Sequence, residues 1–213
     1  MNSNNNFFNN LFRALRNRNY RLFFYGQSLS LLGTWIQQVA LSWLIYRVTN
    51  SAFLLGFVMF AGQLPTFLIA PFAGVFADKY DKQKIIIITQ VVSMLQAILL
   101  AIFVLTDNIN VWILIILNIL LGIANSFDIP TRQSFVIQMV ENREDLPNAI
   151  ALNSSIVNGS RLVGPSIAGI LVASFGEGIC FLINAISFVF VIVSLLLMKV
   201  KKEENLHKEN ISI

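Results

Sequence analysis

The chain has 213 residues, 56% of them hydrophobic and 12% charged, with a formal net charge of +4; an ordinary soluble domain is about one-quarter charged. The charges cluster between long apolar runs instead of along one face, which excludes a nucleic-acid partner and indicates a polytopic membrane protein. A single His (His207), a single Cys (Cys180) and the lack of a G-x-x-x-x-G-K-[ST] run argue against a zinc cluster, a disulfide framework, an intramembrane Ser–His dyad and a P-loop, so no enzyme, metal or cofactor is expected.

The stretch 1–20 is polar, Asn-rich and then basic, and is read as a cytoplasmic N-terminus. No A-x-A-like cleavage site follows the first apolar run, which is therefore taken as a retained span. Six apolar segments occupy 22–46, 52–77, 85–106, 111–130, 148–174 and 178–199, each close to the roughly 20 residues that a transmembrane helix needs. They predict an all-α membrane protein, a six-transmembrane-helix bundle over 21–200 with a polar cytoplasmic tail over 201–213. Polar breaks separate them at Thr49–Ser51, Asp78–Lys84, Asp107-Asn108, Glu141–Pro147 and Gly176–Gly178. Loops this short predict that consecutive helices are antiparallel neighbours. Ile129 to Val140 is expected to carry the fourth helix beyond the hydrocarbon.

Lys and Arg set the orientation. One side holds Arg13, Arg16, Arg18, Arg21, Lys79, Lys82, Lys84, Arg132, Arg143, Lys199, Lys201, Lys202 and Lys208, and the other only Arg47, with Arg161 inside the fifth span. This bias predicts that both termini are cytoplasmic.

Polar residues in the spans recur with a helical period. Gln27, Ser30, Thr34, Gln37 and Gln38 share one face of the first span within about 100° of arc. Asn118, Gly122, Asn125, Asp128 and Arg132 form a similar stripe on the fourth. On the fifth, Ser154, Asn158 and Arg161 lie on one side, with Gly164, Ala168 and Gly169 nearby, while the third and sixth are plainer apart from Gln90, Gln96 and Asn184. Polar groups facing lipid are costly, so these stripes face either a watery cavity or neighbouring helices through interhelical hydrogen bonds.

The loop Gly74-Val75-Phe76-Ala77-Asp78-Lys79-Tyr80-Asp81-Lys82-Gln83-Lys84 carries the most information. It resembles the signature between helices two and three of the major facilitator superfamily, G-x-x-x-D-[RK]-x-G-[RK]-x-[RK]. Gly74, Asp78, Lys79, Lys82 and Lys84 match, and Asp81 replaces the second Gly. That Asp, together with Ala124–Gln133, Asp145–Ser154 and Arg161–Pro165, is similar to the branch of enterobactin-type exporters and secretion permeases. Gly164-Pro165-Ser166-Ile167-Ala168-Gly169 resembles the fifth-helix exporter motif G-P-x-x-G-G, with Ala168 in place of one Gly; Gly164, Pro165 and Gly169 are its helix-packing residues.

The resemblance implies a 3+3 inverted repeat forming one half of a transporter, with helices one and four lining the cavity. It also implies a second six-helix half, as a separate chain or a second copy, in a bacterial cytoplasmic membrane. The expected function is export of a small organic solute, siderophore- or drug-like, by alternating access. Its competitors are a truncated or non-transporting membrane protein and the membrane subunit of an ATP-driven transporter whose ATPase is separate. Besides lipid and substrate, the candidate contacts are the signature loop and the set Gln27, Thr34, Gln38, Asn125, Asp128, Arg132, Asn158 and Arg161. Asp78 is expected to anchor a gate by meeting a helix terminus or an Arg, with Arg132 nearest. From the outer ends of their spans, Asp128 lies about 26 Å and Arg161 about 20 Å inward, a depth offset that an Arg can bridge. Asp128 therefore pairs either with Arg161 or with Arg132 at i+4.

Overall fold

The computed structural model describes residues 12–140 and 142–199. Residues 1–11, Glu141 and 200–213, including Lys201, Lys202, His207 and Lys208, lie outside the described residues. The described chain forms six long helices: α1 (Arg18–Thr49), α2 (Ala52–Lys79), α3 (Lys82–Leu105), α4 (Val111–Met139), α5 (Leu146–Phe175) and α6 (Glu177–Leu197). Each is long and apolar enough to cross a membrane. Short 3₁₀ turns at Arg13–Arg16 and Arg143–Asp145 precede α1 and α5.

The polar breaks act as caps. Ser51 Oγ accepts from Leu54 N–H at the start of α2, and Asn110 Oδ1 accepts from Ile113 N–H at the start of α4. Asn50, at φ 48°, ends α1 in the left-handed region, and Gly176, at φ 78°, makes the turn between α5 and α6. Both tight turns force the next helix back beside the membrane thickness just crossed.

Contacts tie the basic loops to one end of the bundle. Arg13 pairs with Glu144 at 2.9 Å and with Asp145, Tyr20 Oη donates to the Ala149 carbonyl at 2.7 Å, and Asn19 Nδ2 donates to the Lys199 carbonyl at 2.9 Å. The Glu144 hydrogen bond, then the Asp145 charge, raise the Arg13 guanidinium above its ordinary pKa. At the opposite end Arg47 forms a two-pronged pair with Glu177, 2.8 and 3.2 Å, joining the end of α1 to the start of α6.

Short loops make only one consecutive pair, α3/α4, a main packing. The most extensive packings are α1/α6, α2/α4, α3/α6, α1/α5 and α3/α4, whereas α2/α3 and α4/α5 barely touch. Exchanging each helix with the one three places along maps α1/α6 onto α4/α3 and α2/α4 onto α5/α1, and leaves α3/α6 paired with itself. Helices three apart run in opposite directions, so this exchange is the inverted 3+3 repeat of a major-facilitator-type half. Small residues fix the close crossings. A Cβ on Gly33 would meet Ser187 Oγ of α6 at 2.4 Å, and one on Gly122 of α4 would meet the Gly62 carbonyl oxygen of α2 at 2.0 Å.

The apolar core is split in two. Tyr20, Phe23, Phe135, Met139 and Leu195 fill the basic end, and Leu41, Leu44, Leu100, Leu114 and Phe181 fill the other. The polar residues of the spans lie between these two plugs. Outside, Phe53, Phe67, Phe72, Trp112, Leu162 and Ile170 present an apolar surface suited to lipid or to a further helical partner. The chain is an integral membrane protein.

Candidate functional site

A cavity of about 380 Å³ lies between the two plugs, walled by α1, α3, α4, α5 and α6. The whole polar stripe of α1 (Gln27, Ser30, Thr34, Gln37 and Gln38) lines it, with Trp35 beside it. The α4 stripe divides by depth. Asn125, Asp128 and Arg132 line the cavity, whereas Asn118 Nδ2 donates to the Val58 carbonyl at 2.7 Å and so fastens α4 to α2.

Asp128 is the hub of the basic-end half. Its Oδ1 accepts from Thr89 Oγ1 at 2.8 Å and Gln90 Nε2 at 2.9 Å, and its Oδ2 pairs with Arg132 Nη2. The two side chains are 7% and 15% exposed, so this i,i+4 pair is buried. Ser30 Oγ reaches Gln90 Oε1 at 3.4 Å, bringing α1 into the same cluster. A carboxylate at this depth needs several donors, and α3 and α4 supply them together.

A second polar layer sits deeper. Asn184 Nδ2 donates to Gln37 Oε1 at 2.9 Å, Gln37 Nε2 donates to Gln96 Oε1 at 2.9 Å, and Ser187 Oγ reaches the Asn184 carbonyl at 2.7 Å. This chain crosses α6, α1 and α3. Three buried polar atoms of the cavity wall, Gln27 Oε1, Arg132 Nε and Asn153 Oδ1, have no hydrogen-bond partner among the described residues. The site therefore offers both donor and acceptor capacity to a solute, with one charge pair among the described residues of its wall.

Arg161 does not pair with Asp128, which Arg132 holds. The Arg161 guanidinium lies 5.7 Å from the centroid of the Trp35 ring. α5 and α4 pack too little for the α4–α5 loop to bring the two charges together. Asn158, one turn earlier, is exposed and donates to the Ser154 carbonyl of its own helix at 2.8 Å; neither Asn158 nor Arg161 lines the cavity. The proline-glycine motif also divides. Gly164 lets α5 close on Trp35, whose Cβ would lie 2.5 Å from an added Cβ, while nothing lies within 4 Å of one on Gly169. Pro165 sits within a continuous α5.

In the signature loop, Asp81 caps α3, its Oδ1 accepting from Lys84 N–H at 3.3 Å. The acidic replacement for the family's Gly thus has a local use. Asp81→Ala is expected to cost about 1 kcal/mol and Asp81→Gly a few tenths, read as the shift in thermal unfolding of the purified chain; equal melting of all three would exclude the cap. Asp78, Lys79 and Lys84 are exposed, Lys82 is half-buried, and Gly74 has nothing within 4 Å of an added Cβ. Asp78 makes no hydrogen bond or ion pair among the described residues, and Arg132, its expected partner, is held by Asp128.

The sequence pattern passed over Trp35, Thr89, Ser93 and Asn153. Thr89, Gln90, Ser93 and Gln96 recur at i, i+1, i+4 and i+7 in the apolar body of α3, which is a usable signal; Trp35 carries none, and Asn153 entered only within the family-like stretch Asp145–Ser154.

The family model described as transmembrane secretion effector matches residues 10–213. The chain is 32% identical over 169 residues to the staphyloferrin A transporter of Staphylococcus aureus, covering 79% of this chain and 42% of that protein. It is 24% identical over 188 residues to macrolide efflux protein A of Streptococcus pyogenes, covering 86% and 46%. It is 25% identical over 148 residues to the multidrug efflux pump Tap of Mycolicibacterium fortuitum, covering 68% and 36%. The chain thus spans less than half the length of these relatives.

Proposed function

Since the chain belongs to the transmembrane secretion effector family of the major facilitator superfamily, we propose that it is the N-terminal half of a secondary exporter of a small organic solute, working by alternating access. Membership in this family of transporters sets aside an enzyme and the ATP-driven alternative. The observation that carries the reading is the polar cavity between two apolar plugs, holding a buried Asp128–Arg132 pair and unpartnered amide oxygens. A bundle that needed only stability would fill that space. A proton or another ion gradient drives the cycle, with Asp128 as the ionisable group at membrane depth.

The partner is a second six-helix half seated on α2 and α5. These helices exchange under the internal repeat and are the least covered: 17% of the most apolar stretch of each is buried, against 39–50% in the other four. Gly74 and Gly169 stand open on them, and Asp78 is exposed near the end of α2 with no partner among the described residues. The basic end is cytoplasmic, in the inner membrane of a bacterium.

Cysteine labelling tests this. In a Cys180→Ser background coexpressed with a second half, Lys82→Cys is expected to react with an impermeant maleimide in inverted vesicles and not in intact cells. Thr34→Cys and Gln38→Cys should react from one side or the other as the cycle proceeds. Labelling of position 82 from outside overturns the orientation. Positions 34 and 38 unreactive from both sides would overturn the transport reading.

A further inference from the structure

Arg161 is the sixteenth of the 30 residues of α5, about 22 Å from either helix end at 1.5 Å per residue. No lipid headgroup lies within side-chain reach of that depth, and an unneutralised cation there is costly. The described carboxylates are accounted for. Asp78, Asp81, Glu144 and Asp145 sit at the basic end, and Asp107 and Glu177 at the other, Glu177 on Arg47. Asp128, the one carboxylate at membrane depth among the described residues, is held by Arg132.

Arg161 is nevertheless placed by the fold. Gly164 brings α5 onto Trp35 Cβ, and the Trp35 ring carries the guanidinium at 5.7 Å. A guanidinium lying on a ring face keeps its N–H edge free for an acceptor in its own plane. Trp35 is itself part of the cavity wall. The wall is amide, hydroxyl and apolar, apart from the neutral Asp128–Arg132 pair, so among the described residues the charge left uncompensated at this depth is the positive one beside it, on Arg161.

We propose that Arg161, exposed on α5 just outside the cavity wall and braced on Trp35 of that wall, is an anion contact at the cavity's edge, and that the exported solute bears a carboxylate. A carboxylate matches the planar fork with two parallel hydrogen bonds, and the amide oxygens of Gln27 and Asn153 take its hydroxyl or N–H donors. The inference rests on the transport reading and adds the substrate class to it.

The test uses Trp35 as reporter. Trp43 and Trp112 are exposed, so Trp43→Phe with Trp112→Phe leaves Trp35 as the only tryptophan in the full chain, held in lipid nanodiscs and excited at a wavelength that tyrosine does not absorb. Benzoate and citrate are the carboxylate probes, and tetraphenylphosphonium is the cationic control. At least one carboxylate should change Trp35 emission saturably. Arg161→Gln should weaken that binding about tenfold or more, and Arg161→Lys, which keeps the charge without the fork, should weaken it less. Circular dichroism checks that each variant is folded, and the Lys variant carries the comparison if the Gln variant is not.

An unchanged affinity in the folded variants, or no saturable response to either carboxylate, overturns the proposal. So does loss of carboxylate binding on assembly with a second half, which would assign the counter-ion to that half. Labelling at positions 34 and 38 without carboxylate binding would remove the substrate class and leave the exporter. Absence of both would remove the exporter as well.

Discussion

Asp128→Asn is expected to destabilise the bundle by about 3–5 kcal/mol, the range for removing one partner of a buried ion pair. Arg132 would keep its charge, 15% exposed, with its Nε already lacking a partner. Asn still offers an oxygen to Thr89 and Gln90, so the loss isolates the charge imbalance. An exposed i,i+4 pair would be worth only about 0.3–0.5 kcal/mol, and the size of the effect therefore tells a buried pair from a surface one. Asp128→Asn with Arg132→Gln should recover most of the loss, because the isolated charge is gone. Thermal unfolding of the purified chain in detergent measures both. A single variant that melts within a degree or so of the parent, or a double variant no better than the single, would show that the pair is not buried in the working protein.

The span count and the gathering of the basic loops at one end of the bundle were legible because both depend on composition over long stretches: Asn50-Ser51, Asp107–Asn110 and Gly176 announce turns by residue type alone. Neighbour relations were not. Which helices pack closely is decided by pairs such as Gly33 with Ser187 and Gly62 with Gly122, and a glycine in one helix says nothing about which distant residue it meets. The inverted repeat entered through family resemblance and shows in the structure as paired packings. No period in the residues reveals it.

The site was legible to a similar depth. The α1 stripe is a helical-period signal and its five residues share one wall. The α4 stripe has the same period, yet Asn118 and Gly122 serve the α2 crossing while Asp128 and Arg132 serve the cavity, because the neighbour changes along the helix. The choice between Arg161 and Arg132 for Asp128 could not be made from depth alone. It turns on lateral placement, since α4 packs on α2 and α3 while α5 packs on α1. The role of Asp81 was readable in principle, as an Asp three residues before Lys84 at a helix start is a capping pattern; the family consensus of Gly drew attention to the departure instead.

Gly122→Ala is expected to be the most damaging single-methyl change in the chain. The added Cβ would sit 2.0 Å from the Gly62 carbonyl oxygen and 3.1 Å from its carbon, with Pro65 Cγ at 3.3 Å. Both close atoms are backbone, so no rotamer relieves the clash and α2 must move off α4. That movement also strains the Thr66 Oγ1 hydrogen bond to the Gly122 carbonyl, 3.1 Å, and the Asn118 bond to Val58. Overpacking of this kind costs about 1–3 kcal/mol, and interhelical hydrogen bonds in membranes add about 0.6 kcal/mol each, for a loss on the order of 3 kcal/mol. Gly169→Ala is the control: the same methyl enters open space and Ala favours a helix interior over Gly, so no loss of stability is expected. Equal melting of the two variants would mean that α2 and α4 do not cross at these glycines. The consequence for the site follows from the register of α4. Asp128 lies six residues beyond Gly122, and its grip on Thr89 and Gln90 requires α4 to hold its place against α3, so a displaced α2–α4 crossing should also weaken the carboxylate cluster on which the cavity depends.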